Sequence, residues 1–169
     1  METIGQYTFT GCGITSVRIP KNLKDIYLKD TFDGENIKSI SVDEGNKYLD
    51  SRNNCNAVIE TESNTLVLAI ENSVIPNTVK VIGEHSFQGT PSELVIPEGV
   101  EEIADFAFDS ENKLEKITLP STLKSIGEDP FDESLKTINY RGSKAQWEKI
   151  KIADDSILLN VKINYNYKG

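Results

Sequence analysis

A thiol and an imidazole held within hydrogen-bond reach make a nucleophile and its base. The chain has two cysteines, Cys12 and Cys55, and one histidine, His85. Cys55 and His85 could form such a pair, but they lie in segments of different character and no third residue is evident to orient the imidazole. Two acidic pairs, Asp43-Glu44 and Asp154-Asp155, could attract a divalent cation. Neither has the alternating oxygen ligands and central glycine of a calcium loop, and each reads as a solvated turn. One histidine gives no metal-ligand spacing with two cysteines. Two cysteines are also too few for a disulfide framework, and a Cys12–Cys55 bridge would have to join different structural units. The residues therefore predict no catalytic group, no metal and no cofactor.

Composition narrows the partners. Among 169 residues, 27 acids face 18 bases, for a net charge of −9. That balance argues against nucleic acid, whose binders carry a basic stripe, and against an anionic membrane surface. No apolar run approaches the ~18 residues that span a bilayer, so membrane insertion is not expected. The opening METIGQYTF shows no charged and then apolar leader. Two origins stay open on this point: a segment cut from a longer precursor, or a protein made without an export signal.

The elements that would position any site come from a phrase that returns along the chain. It reads Ile-Gly-x-x-(small)-Phe, a polar stretch, a short apolar run closed by Pro, then x-x-(Val/Leu)-x-x-Ile. It runs from Ile4 to Ile26, Ile82 to Ile103 and Ile103 to Ile126, and starts again at Ile126. Pro97 and Pro120 are 23 positions apart, as are Ile103 and Ile126. A period of about 20–29 residues with this content marks a leucine-rich-repeat solenoid.

Written in register, the phrase gives columns. Phe9, Phe32, Phe87, Phe108 and Phe131 share one, and Phe106 lies outside it. One bulky ring per coil predicts rings piled along the axis, each the largest hydrophobic contributor of its coil. Ile19, Val42, Ile75, Ile96, Leu119 and Tyr140 form a second column, and Val17, Ile40, Leu94, Ile117 and Ile138 a third. These two alternate with polar residues, as in Val17-Arg18-Ile19, which predicts a strand with one buried face. Successive strands run the same way, so the sheet is parallel. Pro20, Pro76, Pro97 and Pro120 end the strands without orphaning a donor. Five or six coils at the ~4.8 Å strand spacing give a stack of roughly 25 Å.

One domain is expected over residues 1–169, in four parts. Residues 1–42 form the N-terminal coils, the second of them degenerate. Residues 43–72 break the period. There Ala57-Val58-Ile59 and Leu66-Val67-Leu68-Ala69 flank a polar turn and read as an inserted β-hairpin. Residues 73–141 are regular coils. In the first coil, Cys12 sits at a column position where a small buried thiol packs well. Residues 142–169 read as a C-terminal cap: Ser143 with Gln146 is a capping box, and Ile157 to Tyr167 alternate like a final strand. Trp147 is expected to cover the last apolar layer, the alternative being a surface aromatic that stacks on a ligand.

The phrases IGQYTFTGCGITSVRIPKNLKDI, VIPNTVKVIGEHSF, LVIPEGVEEIADFAF and ITLPSTLKSIGEDPF resemble the BspA-like (treponemal-type) leucine-rich repeats of bacterial surface proteins. YLDSRNNCNAVIETESNTLV is similar to an insertion that recurs in that family, and NYRGSKAQWEKIKI to its closing segment. The resemblance covers nearly the whole chain. It implies a β-rich, right-handed solenoid with a parallel sheet and short helical turns. It also implies exported or cell-surface proteins that bind host or matrix molecules, with no shared catalytic motif. The chain departs from the pattern in having few repeats and in keeping the cysteine after the Phe only as Cys12.

A binding surface would lie on the outward face of the sheet, the wide rigid surface that repeat proteins use. Its candidates are Ser16, Arg18, Val74, Glu93, Val95, Lys116, Thr118 and Asn139. Val74 and Val95 would be neighbours among charged residues, the layout of a contact patch. The residues alone favour the plainer alternative, since a pair of exposed valines is ordinary on any protein. The expected function is adhesion or binding of a protein or glycan by a monomer outside the cell. The alternatives are a structural spacer of a larger surface protein and an intracellular interaction module.

Overall fold

The structure, a computed structural model, describes residues 3–5, 7–26, 31–32, 36–108, 113–154 and 156–169. The repeating phrase folds into coils with three sides. On the first, Ser16–Ile19 pairs in parallel with Ser39–Val42. Farther along, Glu93–Val95, Lys116–Leu119, Thr137–Tyr140 and Lys162–Asn164 form a four-stranded parallel sheet. In it Leu94, Ile117, Ile138 and Ile163 stand in register. We call this side the front.

The second side carries the recurring isoleucine. Val81–Ile82, Glu102–Ile103, Ser125–Ile126 and Lys151–Ile152 stack in parallel with Ile82, Ile103, Ile126 and Ile152 in line. At the other end Thr3–Ile4 pairs with Asp25–Ile26. Gly follows the isoleucine where coils come closest. A Cβ on Gly83 would sit 2.6 Å from the Leu66 carbonyl oxygen, and one on Gly127 would sit 2.5 Å from the Asp105 nitrogen.

The third side carries the phenylalanines, which line up in two stacks rather than one. Phe9 lies on Phe32 at 5.6 Å, and Phe87, Phe108 and Phe131 follow one another at 5.0 and 5.5 Å. The inserted hairpin divides them. Val58–Glu60 and Thr65–Ile70 pair antiparallel, and Leu49–Asp50 adds to the outer edge. Thr65–Ile70 then joins two sides at once, pairing with Val81–Ile82 at its start and with Phe87–Gln88 at its end. Val58, Leu68 and Ile70 pack into the N-terminal core, while Ile59, Leu66 and Ala69 pack into the larger C-terminal one. A strand buried on both faces needs an unbroken apolar run. That is the physical reason for Leu66-Val67-Leu68-Ala69-Ile70. The hairpin is a partition between two cores.

The front is interrupted at the same place. The edge of Ser39–Val42 meets the side chain of Asn56 where a next strand would lie: Ile40 N–H donates to Asn56 Oδ1 at 2.6 Å. Asn56 Nδ2 donates to Asn72 Oδ1 at 2.7 Å, and Val74 N–H donates to the Cys55 carbonyl at 2.9 Å.

The C-terminal segment caps the stack by adding a further coil, with Lys151–Ile152 extending the second side and Lys162–Asn164 the front. Both bonds of the Ser143–Gln146 capping box form and start the short helix Lys144–Trp147. Trp147 is buried inside this coil, edge-on to Tyr140 at 5.2 Å and to Tyr165 at 6.4 Å. It lies over the Tyr140 layer, as a covering residue would, and is not a surface ring. The expected strand from Ile157 to Tyr167 is instead a 3-10 turn, Ser156–Asn160, followed by Lys162–Asn164. A lysine opens each terminal strand, Lys151 and Lys162, a charge that discourages pairing at an open edge. Cys12 is exposed, not buried in a column. Of the degenerate second coil, residues 27–30 and 33–35 lie outside the described residues.

Candidate functional site

Strand alternation aims the predicted residues away from the core, and burial then separates them. Ser16, Arg18, Val74, Glu93 and Val95 are exposed, and Lys116 is half-exposed. Val74 and Val95, on adjacent coils, expose 69% and 55% of their surface. Thr118 and Asn139 are at 6% and 4%, so they are covered and offer a partner almost nothing. Asn139 Oδ1 accepts from Asn164 Nδ2 at 2.8 Å, which extends the outward column by one coil. Beyond it Tyr167 N–H bonds the Tyr140 carbonyl at 3.1 Å, and the Tyr167 phenol comes near enough to act on the charge of Lys116.

The front charges are answered within the front. Lys116 Nζ reaches Glu93 at 2.6 Å, and the Glu93 hydrogen bond is the main reason its pKa rises. Arg18 pairs with Asp43. What stays open is a neutral strip of Val74, Val95 and the serines Ser16, Ser39 and Ser41.

The chemistry-bearing residues are held apart. Cys55 is buried, its Sγ 3.8 Å from Ser51 Oγ and 3.7 Å from the Ala57 carbonyl, and burial raises the thiol pKa. A thiol kept protonated is a poor nucleophile. His85 sits on the third side, its ring stacked on Phe106 at 5.4 Å and its Nε2 3.6 Å from Glu84. Asp43 is engaged by Arg18, and Asp154 accepts from the Ser156 amide and hydroxyl. Asp155 lies outside the described residues. Among the described residues no group of three or more His, Cys, Asp or Glu is placed to hold a metal.

Two concavities were not foreseen. One, of about 630 Å³, lies beside the break in the front sheet, between Ser39–Val42 and the turn at Arg52–Asn54. The other, of about 800 Å³, opens at the corner after the second side and is lined by Phe106, Asp129, Asp132 and Glu133 among others. The residue three positions after the isoleucine turns that corner in the left-handed region: Tyr7 (φ 55°), His85 (48°), Phe106 (53°) and Asp129 (41°). The one phenylalanine outside the column, Phe106, was the sequence signal for it.

The comparisons agree with this geometry. A family model described as BspA type leucine rich repeat region matches residues 1–67 and 57–166, with six copies. A leucine-rich repeat protein from Eubacterium ventriosum superposes with a TM-score of 0.65 at 24% identity, over 83% of this chain and 40% of that one. The pneumococcal vaccine antigen PcpA gives 0.62 at 19% identity, over 100% of this chain and 49% of that one. At these identities the likeness is one of fold, and the chain spans less than half the length of either protein. No curated protein sequence matches the chain.

Proposed function

The chain belongs to the BspA-type leucine-rich-repeat family, and from that premise we propose that it is a non-catalytic binding module at a bacterial cell surface or outside the cell. Its front sheet engages a protein partner. The observation that carries this reading is the exposure of Val74 and Val95 on adjacent coils, while Arg18, Glu93 and Lys116 around them are already paired. An apolar centre of this kind loses water on contact, and its polar surround sets orientation. A protein is preferred to a glycan because the most exposed apolar residues of the front, Val74 and Val95, are aliphatic. The separation of Cys55 from His85 supports the non-catalytic part.

Arrays of host and matrix proteins and of glycans, probed with the wild type and with Arg18→Glu/Lys116→Glu, test it. Protein hits that weaken roughly tenfold in the variant support the proposal. Hits confined to glycans, or affinity that does not change, remove it. A spacer role is the second reading, favoured by the chain spanning 40% and 49% of the two solved proteins. Large flanking domains in the full-length gene and no array hit would support the spacer.

A further inference from the structure

We propose that the corner cavity on the third side is a second contact site, which takes a lysine or arginine side chain of a partner polypeptide. It lies off the front sheet, so it stands or falls independently of the front-face reading. Phe106 is the platform. One face of its ring rests on His85 of the preceding coil, at 5.4 Å and 7° from parallel. Asp129, the equivalent corner residue of the next coil, lines the cavity with the Phe106 ring, and the ring face turned from His85 has no aromatic partner among the described residues. A ring face of this kind attracts a cation.

Charge decides the guest. The described lining holds the carboxylates of Asp129, Asp132 and Glu133 and contains no lysine or arginine. Elsewhere on the coils several acids are answered by lysines of a neighbouring coil: Glu101 by Lys80 and Lys124, Glu115 by Lys136, Glu93 by Lys116. Asp132 accepts from the amide and hydroxyl of Ser134. Among the described residues, Asp129 and Glu133 have no ion-pair partner. Leu135 and Val161 supply an apolar wall, which suits the aliphatic stem of a long cationic side chain. A volume of about 800 Å³ holds such a side chain with part of its backbone.

The probe is a hexa-arginine peptide, with hexa-citrulline as its uncharged equivalent, titrated into the whole chain at moderate salt. Phe106→Asn removes the ring and keeps a residue that tolerates the left-handed corner. Asp129→Asn/Glu133→Gln removes two charges, and Glu44→Gln/Glu71→Gln removes two exposed charges elsewhere. The expected result is measurable hexa-arginine binding, at least about tenfold weaker in Asp129→Asn/Glu133→Gln than in the control pair and about fivefold weaker in Phe106→Asn. Hexa-citrulline should not bind. The proposal is overturned if the two acid pairs weaken binding equally, which would be attraction to the net charge alone. It is equally overturned if Phe106→Asn, folded by circular dichroism, binds like the wild type, or if the Phe106 ring signals respond to neutral sugars and not to the peptide.

Discussion

Asn56 does for Ile40 what a neighbouring strand does elsewhere on the front: its side-chain oxygen accepts the Ile40 amide at 2.6 Å. Its amide nitrogen bonds Asn72, and its own carbonyl accepts the Ser73 hydroxyl at 2.6 Å. Asn56 is itself in the left-handed region, at φ 55°. Asn56→Ala removes the bonds and strains the backbone, so a loss of about 2–3 kcal/mol is expected in urea unfolding. Asn56→Gly relieves only the strain and should recover roughly 1 kcal/mol of that.

The stacking distance between coils makes a sharper prediction at the glycines. Gly83→Ala and Gly127→Ala force a Cβ against backbone of the preceding coil and should each cost about 1–3 kcal/mol. Gly5→Ala has nothing nearer than the Thr8 hydroxyl at 3.8 Å and should stay within about 0.5 kcal/mol of the wild type. Equal effects at all three positions, measured by thermal unfolding, would contradict the close approach.

Phe108 lies between two rings and is fully buried, while Phe9 ends a stack and is half-buried. Phe108→Ala is expected to cost about 3–5 kcal/mol, and Phe9→Ala about half of that or less. Chemical denaturation of the two variants compares them directly.

Acid should expose the joint at the hairpin. Burial works to raise the Asp50 pKa, but the hydrogen bonds and charge of Arg52, with the Thr61 hydroxyl, outweigh it and hold the carboxyl below its ordinary value. Arg52 Nε and Nη2 reach the two Asp50 oxygens at 2.7 and 2.5 Å, and Nη1 extends to Asn64 and Thr78. A lowered folded-state pKa stabilises above the unfolded value near 4 and is lost as pH falls through the folded one. Asp50→Asn should therefore cost about 1 kcal/mol at neutral pH, discounted for partial exposure, and the gap to the wild type should close below pH ~4.

The columns were legible because each position meets the same environment in every coil. Ile103 and Ile126, 23 apart, pair in the fold, and Pro120 ends Lys116–Leu119 where expected. The hairpin was legible from its two apolar runs, but not its role as a wall between two cores, because alternate burial on both faces leaves no period to read. Thr118 and Asn139 look like solvated strand residues, yet they are buried, Thr118 between the flanking strands' Val95 and Asn139 and Asn139 beside Asn164 of the last strand. The corner of Tyr7, His85, Phe106 and Asp129 left one trace, a phenylalanine outside its column, because none of these is the glycine or asparagine that usually marks a left-handed turn. The capping box fixes where the last helix starts, and Trp147, four residues on from Ser143, enters the layer over Tyr140.

Binding of an array-identified protein partner to Val74→Asp/Val95→Asp is the most direct measurement. Both side chains are exposed, so the variant should unfold at the wild-type denaturant midpoint within about 0.5 kcal/mol. The front-sheet account predicts affinity at least about tenfold weaker, because two charges would be desolvated in the contact. Unchanged affinity in a folded variant would contradict it.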